Sequence, residues 1–144
     1  MGTLFDPAQF LHTTGDAVIA ADADGVIVYW NPAAARIFGY RAEEALGESL
    51  DVIIPGRLRE RHAHGFNQTM KTGKTRYGND VLRVPAVHKD GRALSVAFTV
   101  ALMRAPDESS WIIAATIRDE TARWQEERAL KQRVAELEAK SRER

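Results

Sequence analysis

The chain alternates between short apolar runs and polar breaks, and its two earliest runs predict a β-hairpin. Residues 17–21 and 26–30 are almost entirely apolar, and the segment between them ends in Asp24-Gly25. Two apolar runs joined by a short turn that contains Asp-Gly are typical of a hairpin, because glycine adopts the positive φ that such turns need. We therefore expect two antiparallel strands here.

Three further runs in the second half of the chain predict an antiparallel meander. They are rich in β-branched and aromatic residues, and two short polar connections join them. The three runs are residues 75–87, 93–103 and 111–118. Short connections between consecutive strands favour antiparallel pairing, so these strands should lie side by side.

Helical patterns fill the segment between the hairpin and the meander. Asn31-Pro32 offers an N-cap and a first-turn proline for a helix over residues 33–38. In residues 57–71, apolar side chains at helical spacing predict the longest interior helix. Shorter helices or turns are expected at residues 5–12, 41–46 and 50–54. This order predicts an α+β fold, a five-stranded antiparallel sheet with short helices on one face.

Composition narrows the class of protein. The 144 residues include 20 basic and 20 acidic side chains, and 44% are hydrophobic, which is typical of one globular domain. A net charge of zero argues against direct binding to nucleic acid or to an anionic membrane. No apolar run approaches the roughly 20 residues of a spanning helix, and the start of the chain lacks a signal-peptide pattern. We therefore expect a cytoplasmic protein.

The polar residues do not predict an enzyme. The chain shows no evident nucleophile, histidine and carboxylate set, no glycine-rich phosphate loop and no H-E-x-x-H pattern. It has no cysteine, which excludes disulfides, thiolate metal sites and cysteine nucleophiles. These features favour a binding or regulatory module without catalytic residues.

An ordered set of short motifs within residues 16–121 resembles the PAS sensor domains. In chain order the motifs are Asp16-Ala17-Val18, residues 24–34, Phe38-Gly39-Tyr40, residues 43–47, Arg59 with His62, Thr72-Gly73, Lys89-Asp90-Gly91 and residues 118–121. The resemblance implies a PAS domain over residues 15–118. An N-terminal flanking helix would occupy residues 1–14, and a C-terminal linker or coiled-coil helix would occupy residues 119–144.

The resemblance also implies a function. A PAS domain is a sensory or regulatory module of signal transduction, which binds a small ligand, dimerises or does both, and relays a conformational signal through its C-terminal helix. The downstream effector would be a kinase, a cyclase or a transcription regulator, in another protein or in a removed part of a longer chain. Photoreceptor members form a flavin–cysteine adduct, which a chain without cysteine cannot form.

His62 is the candidate for ligand chemistry. On a helix it falls between Leu58 and Phe66 on the side that should face the sheet, whereas His64 lies about 200° round the axis, toward solvent. The simplest interpretation is a core histidine that hydrogen-bonds to backbone or water. A neutral imidazole beside an apolar cavity is also what heme ligation requires.

Resemblance to the heme-binding oxygen sensors of the PAS family supports the second interpretation of His62. Some of these sensors hold heme through a histidine in a segment like residues 59–62, which makes His62 the expected axial ligand. The chain would then be a heme-based sensor of oxygen, carbon monoxide or nitric oxide; otherwise its ligand is an unknown small molecule, or none. The expected lining of the slot is Leu58, Phe66, Met70, Tyr77, Leu82, Phe98, Val100 and Ala115.

One strand position departs from the pattern of those sensors. They carry an arginine that contacts bound oxygen, and the matching position here is Leu82, with Arg83 beside it. A one-residue offset turns a strand side chain to the opposite face. Bound oxygen would then lack a strong donor unless Tyr77 or Arg83 reached it, and carbon monoxide or nitric oxide would be held comparatively better.

Residues 119–144 predict a charged helix that begins at a signalling junction. Asp119 can cap this helix and favours the positive end of its dipole, and Thr121 belongs to a motif that resembles the exit of PAS domains into their signalling helices. Leu130, Val134 and Leu137 follow a 4-3 spacing along the helix. This narrow seam, together with apolar residues near the N-terminus, predicts a homodimer of modest affinity.

Overall fold

The computed structural model of the chain describes residues 4–75 and 79–143. Its strands are β1 (Ala17–Ala21), β2 (Ile27–Trp30), β3 (Leu82–Val87), β4 (Ala93–Arg104) and β5 (Trp111–Asp119). They form one antiparallel sheet in the order β2-β1-β5-β4-β3. The hairpin and the meander therefore meet where β1 pairs with β5, and the first strand of the chain lies inside the sheet.

The described residues also form five helices and two 3-10 turns. They are α1 (Pro7–Thr13), α2 (Pro32–Phe38), α3 (Ala42–Ala45), α4 (Arg59–Thr72) and α5 (Thr121–Arg142), with 3-10 turns at Leu50–Ile53 and Gly56–Leu58. The predicted α+β fold is confirmed. The long α5 has no buried residue. Among the described residues, no helix combines the length and the apolar character needed to cross a membrane.

The first strand of the meander is shorter than predicted. The sequence pattern predicted a strand from residue 75, but β3 begins at Leu82. Asn79 and Asp80 precede it outside any strand, and both residue types are poorly suited to strands. Residues 76–78 lie outside the described residues. The other predicted strands agree with the observed ones to within one residue at each end.

Asn31 joins three elements at the centre of the core. Its side chain is 1% exposed, and its Oδ1 accepts hydrogen bonds from the backbone N–H groups of Ala34 (3.0 Å) and Val18 (2.9 Å). Its Nδ2 donates to the backbone carbonyls of Leu11 (2.8 Å) and Asp16 (3.1 Å). The predicted N-cap of α2 is therefore confirmed, and the same amide also holds the end of α1 and the start of β1.

Candidate functional site

A cavity of about 510 Å³ lies between α4 and the face of the sheet that α2 also covers. Most of its wall is apolar and comes from β1, β3, β4, β5 and the turns before α4. The exposed side chain of Arg61 lines it, as does Val84, which is 37% exposed, so the cavity reaches the surface. Cavities of roughly 300–1,000 Å³ with apolar walls are typical of small-molecule sites.

His62 lines this cavity from α4. Its half-buried ring lies 5.9 Å from the ring of Phe66, centroid to centroid, with the planes 31° apart. Burial lowers the pKa of His62 below its usual value of 6.5, and the charge of the Asp51 carboxylate opposes that shift in part. The imidazole is therefore neutral at pH 7, with one ring nitrogen able to accept a proton or to bind a metal.

The other three histidines do not line the cavity. His12 and His64 are exposed on α1 and α4, so the predicted outward orientation of His64 is confirmed. His88 lies after β3, where its ring packs so closely on Gly39 that a Cβ there would lie 2.6 Å from its Nε2. Within residues 4–75 and 79–143, no three His, Asp or Glu side chains are placed to hold a metal ion together.

The structure brings together part of the predicted lining. The predicted residues that line the cavity are Leu58, His62, Phe66, Phe98, Val100 and Ala115. Met70 and Leu82 are half-buried and do not line it. Near the end of α4 the helical rotation of about 100° per residue turns Thr69 toward the cavity instead of Met70. Leu82 lies at the outer end of β3, so Val84 takes its place. Tyr77 lies outside the described residues.

Arg83 faces away from the cavity. Its side chain is exposed and does not line the cavity, whereas that of its neighbour Val84 does. The Arg83 guanidinium Nε lies 3.4 Å from the Glu120 carboxylate Oε2 instead. Arg83 therefore supplies no hydrogen-bond donor to a ligand in the cavity, as its one-residue offset from Leu82 predicted.

Comparison with known proteins identifies the fold family. The sequence model of the PAS fold matches residues 6–119 of this chain. The chain belongs to the PAS family. The crystal structure of a PAS domain from a Colwellia psychrerythraea protein superposes with a TM-score of 0.68, at 19% identity, over 80% of this chain and 94% of that chain.

Two curated relatives of this PAS domain are sensor proteins. The oxygen sensor protein DosP of Escherichia coli is 31% identical over 116 residues, which cover 81% of this chain and 14% of DosP. The sensor protein FixL of Bradyrhizobium diazoefficiens is 27% identical over 129 residues, which cover 90% of this chain and 25% of FixL. The chain thus spans a quarter or less of the length of either relative.

The predicted junction of the PAS domain with its C-terminal helix is a hydrogen-bond network. The Asp119 carboxylate Oδ1 accepts from the backbone N–H of Thr121 (2.9 Å) and from its hydroxyl (2.5 Å). The Thr121 hydroxyl in turn accepts from the backbone N–H of Ser95 in β4 (3.0 Å). The backbone N–H of Glu120 donates to the Ser95 carbonyl (2.8 Å). The start of α5 is therefore held by both β5 and β4. The N-cap residue is Glu120 and not the predicted Asp119, and its side chain makes no cap hydrogen bond.

Sequence reasoning missed several residues of this PAS site. Val84 and Ile113 lie at the alternate strand positions from which other residues were predicted to line the cavity. The same alternation could therefore have predicted these two residues. Arg61 lies about 100° from His62 but only about 60° from the outward His64 on a helical projection, so the helical period placed it toward solvent. That placement was wrong, because Arg61 lines the cavity. Ser95 is 26 residues from Thr121, and no local pattern pairs them.

Proposed function

We propose that the chain is the sensory module of a signal-transduction protein, in which the cavity binds a small ligand and α5 relays the response. One observation supports this proposal most directly. β5 contributes Ile113, Ala115 and Ile117 to the cavity wall, and the same strand ends at Asp119, whose carboxylate accepts a hydrogen bond from the backbone N–H of Thr121, the first residue of α5. A ligand that contacts the wall therefore touches the strand that leads into the exit helix.

The proposed module regulates another unit and carries out no catalysis itself. DosP and FixL are sensor proteins by name, and the matched region is a small part of each. We expect the effector to be a kinase, a cyclase or a transcription regulator, either in another protein or elsewhere in a longer chain. We expect the module to act in the cytoplasm, without contact to nucleic acid or membrane.

Binding and relay are tested with decanol, a neutral apolar probe. Calorimetry should show saturable binding to the full chain, and hydrogen exchange should show altered protection of the amides of Glu120 and Thr121 in the bound state. Asp119→Ala removes the carboxylate that accepts from Thr121 at the start of α5. This variant should keep decanol binding and lose the change at those amides. An absence of binding by decanol and by its charged analogues of the same chain length would contradict the proposal, and a change that persists in Asp119→Ala would contradict the relay.

Homodimerisation is proposed from the apolar surface that α1 and α5 leave exposed. The exposed residues are Phe5, Phe10, Trp124, Leu130, Val134 and Leu137. Single exposed apolar residues are common, but a row at 4-3 spacing on one helix is typical of a dimer seam. Light scattering should show a dimer for the full chain and a weaker dimer for a chain that ends at Ala122. Monomers of both at high micromolar concentration would contradict the proposal.

Heme is the second candidate ligand, favoured by the neutral His62 in the cavity wall. A half-buried neutral imidazole facing apolar side chains fits the proximal ligand that heme needs. His62 would hold the iron, and Phe98, Val100 and Ala115 would contact the porphyrin. When bound, heme would supply an iron centre for a diatomic gas. The described strands contribute no arginine or tyrosine to the wall, and Arg61 lies beside His62 on α4, which favours carbon monoxide and nitric oxide over oxygen.

Reconstitution with hemin tests the heme candidate. The wild type should develop a Soret band, His62→Ala should lose it, and His64→Ala on the exposed side of the same helix should keep it. No heme uptake by the wild type would leave His62 as a core histidine beside a site for another ligand. Equal loss in both variants would show that heme binds nonspecifically along α4.

A further inference from the structure

The charges around the cavity are distributed unevenly. Of the described residues that line it, Arg61 carries a permanent charge, and none is Asp or Glu. The polar side chains besides Arg61 are His62, Thr69 and Thr75. Asp51 acts on His62 through its charge, but it does not line the cavity. Among the described residues, a ligand therefore meets an apolar wall and one cation.

That cation lies at the mouth of the cavity. Arg61 is exposed and still lines the wall, so its guanidinium can reach both solvent and ligand. Among residues 4–75 and 79–143, its side chain has no hydrogen bond or ion pair. Arg59 differs, because its Nε donates to the Ile54 carbonyl (3.1 Å), and Arg57 does not line the cavity. Arg61 therefore remains available to an external anion.

We propose that the ligand of this cavity is an amphipathic carboxylic acid, with its apolar body inside and its carboxylate on Arg61; the proposal rests on the ligand-binding function above. A guanidinium binds a carboxylate through two parallel N–H donors, and at the mouth the acid head keeps part of its hydration. The negative Asp51 near His62 disfavours a second anion there, so Arg61 holds the head group.

The volume of the cavity indicates how long an acid it can accommodate. With about 30 Å³ for each water-sized group, 510 Å³ holds roughly 17 such groups. A medium-chain to long-chain aliphatic acid has this size. Its chain would run past Phe66 and Phe98 toward Ile113 and Ile117, along the strands that lead to α5.

Three probes with the same chain and different head groups test the proposal. Calorimetry compares decanoate, decanol and decyltrimethylammonium on the full chain, as wild type, Arg61→Gln, Arg61→Lys and Arg57→Gln. Arg57→Gln is the matched control. It removes the same charge from a residue that precedes Arg61 by four positions and does not line the cavity. The quantity measured is the ratio of the Kd for decanol to the Kd for decanoate, in which the contribution of the shared chain cancels.

We expect Arg61→Gln to lower this ratio about fivefold, which is the strength of a partly exposed ion pair. The ratio for Arg61→Lys should lie between those of Arg61→Gln and the wild type, and the ratio for Arg57→Gln should be close to that of the wild type. In the wild type the ratio should fall as salt screens the pair, and the cationic probe should bind weakest. If the wild type and Arg61→Gln give the same ratio, the proposed carboxylate contact is overturned. Binding of decanol in that experiment would still support the proposed function. Failure of all three probes to bind the wild type overturns both.

Discussion

Helices α2 and α4 cover the same face of the sheet and pack on it very differently. In α2, Ala33, Ala34 and Phe38 are fully shielded from solvent, and Asn31 before them is 1% exposed. In α4, which is twice as long, no residue is buried, and the cavity separates it from the strands. The α2 side is therefore a packed core, and the α4 side is a cover over space that a ligand can fill.

The difference shows where this domain gains stability and where it gives up stability for binding. Apolar area that is removed from water stabilises the fold, and close packing adds dispersion contacts that a void lacks. Phe38 contributes buried apolar area and close packing to the core around Trp30, whose ring lies 5.8 Å from its own, centroid to centroid. Phe66 is only half-buried, lies beside the ring of His62 and borders the cavity. Substitutions on the two sides should therefore have unequal costs.

The largest effect is expected for Phe38→Ala. The ring is fully buried, so its loss removes packing and leaves a cavity, at a cost of about 3–5 kcal/mol. Urea denaturation of the wild type and the variant measures this cost. A cost near 1 kcal/mol would show that the α2 side is no better packed than the α4 side.

A slightly smaller effect is expected for Asn31→Ala. The change leaves two backbone N–H groups and two carbonyls of α1, β1 and α2 without their partner, which should cost about 2–4 kcal/mol. Asn67→Ala, at an exposed site in α4, is the matched control and should change the free energy of unfolding by less than about 0.5 kcal/mol. Similar losses in both variants would contradict the described network.

Phe66→Ala should cost about 1 kcal/mol, because its ring is only half-buried, whereas that of Phe38, which also borders the cavity, is fully buried. Helical facing alone, with full burial, would predict about 3–5 kcal/mol. The same urea series measures the cost, with His64→Ala, which should cost almost nothing, as the control on α4. A loss equal to that of Phe38→Ala would mean that the cavity closes in solution and that Phe66 belongs to the core.

The smallest effect is a dependence of stability on pH that passes through His62. Its folded pKa lies below 6.5, so between the two values the unfolded chain binds more protons than the folded one. The free energy of unfolding therefore falls as the pH drops below about 6.5. The contribution of His62 to this fall ends below its folded pKa. His62→Gln should lose less stability than the wild type between pH 7.5 and pH 5.5, and His64→Gln should follow the wild type. Parallel curves for the wild type and His62→Gln would contradict the burial of the imidazole.

The parts of the molecule that sequence predicted well depend on neighbours in the chain. The turn before β2 needs the positive φ of Gly25 (79°), and the dipeptide Asp24-Gly25 predicts this turn. Asn31-Pro32 carries its own N-cap signal, and the helical period alone separates His62 from His64. Each of these features arises from residues within a few positions of one another, so a local pattern was enough to predict it.

Tertiary structure decided the features that join distant residues. The first turn of α5 depends on Ser95 meeting Thr121, and Asn31 reaches Leu11 and Asp16 as well as its own helix. Thr69 and Val84 replace Met70 and Leu82 in the cavity because the exact placement of α4 and β3 over the sheet selects which side chains reach it. Sequence alone determined the elements and the side of α4 that faces inward. The cavity and the cation at its mouth exist only because the folded chain sets α4 apart from the strands, a spacing that no local propensity encodes.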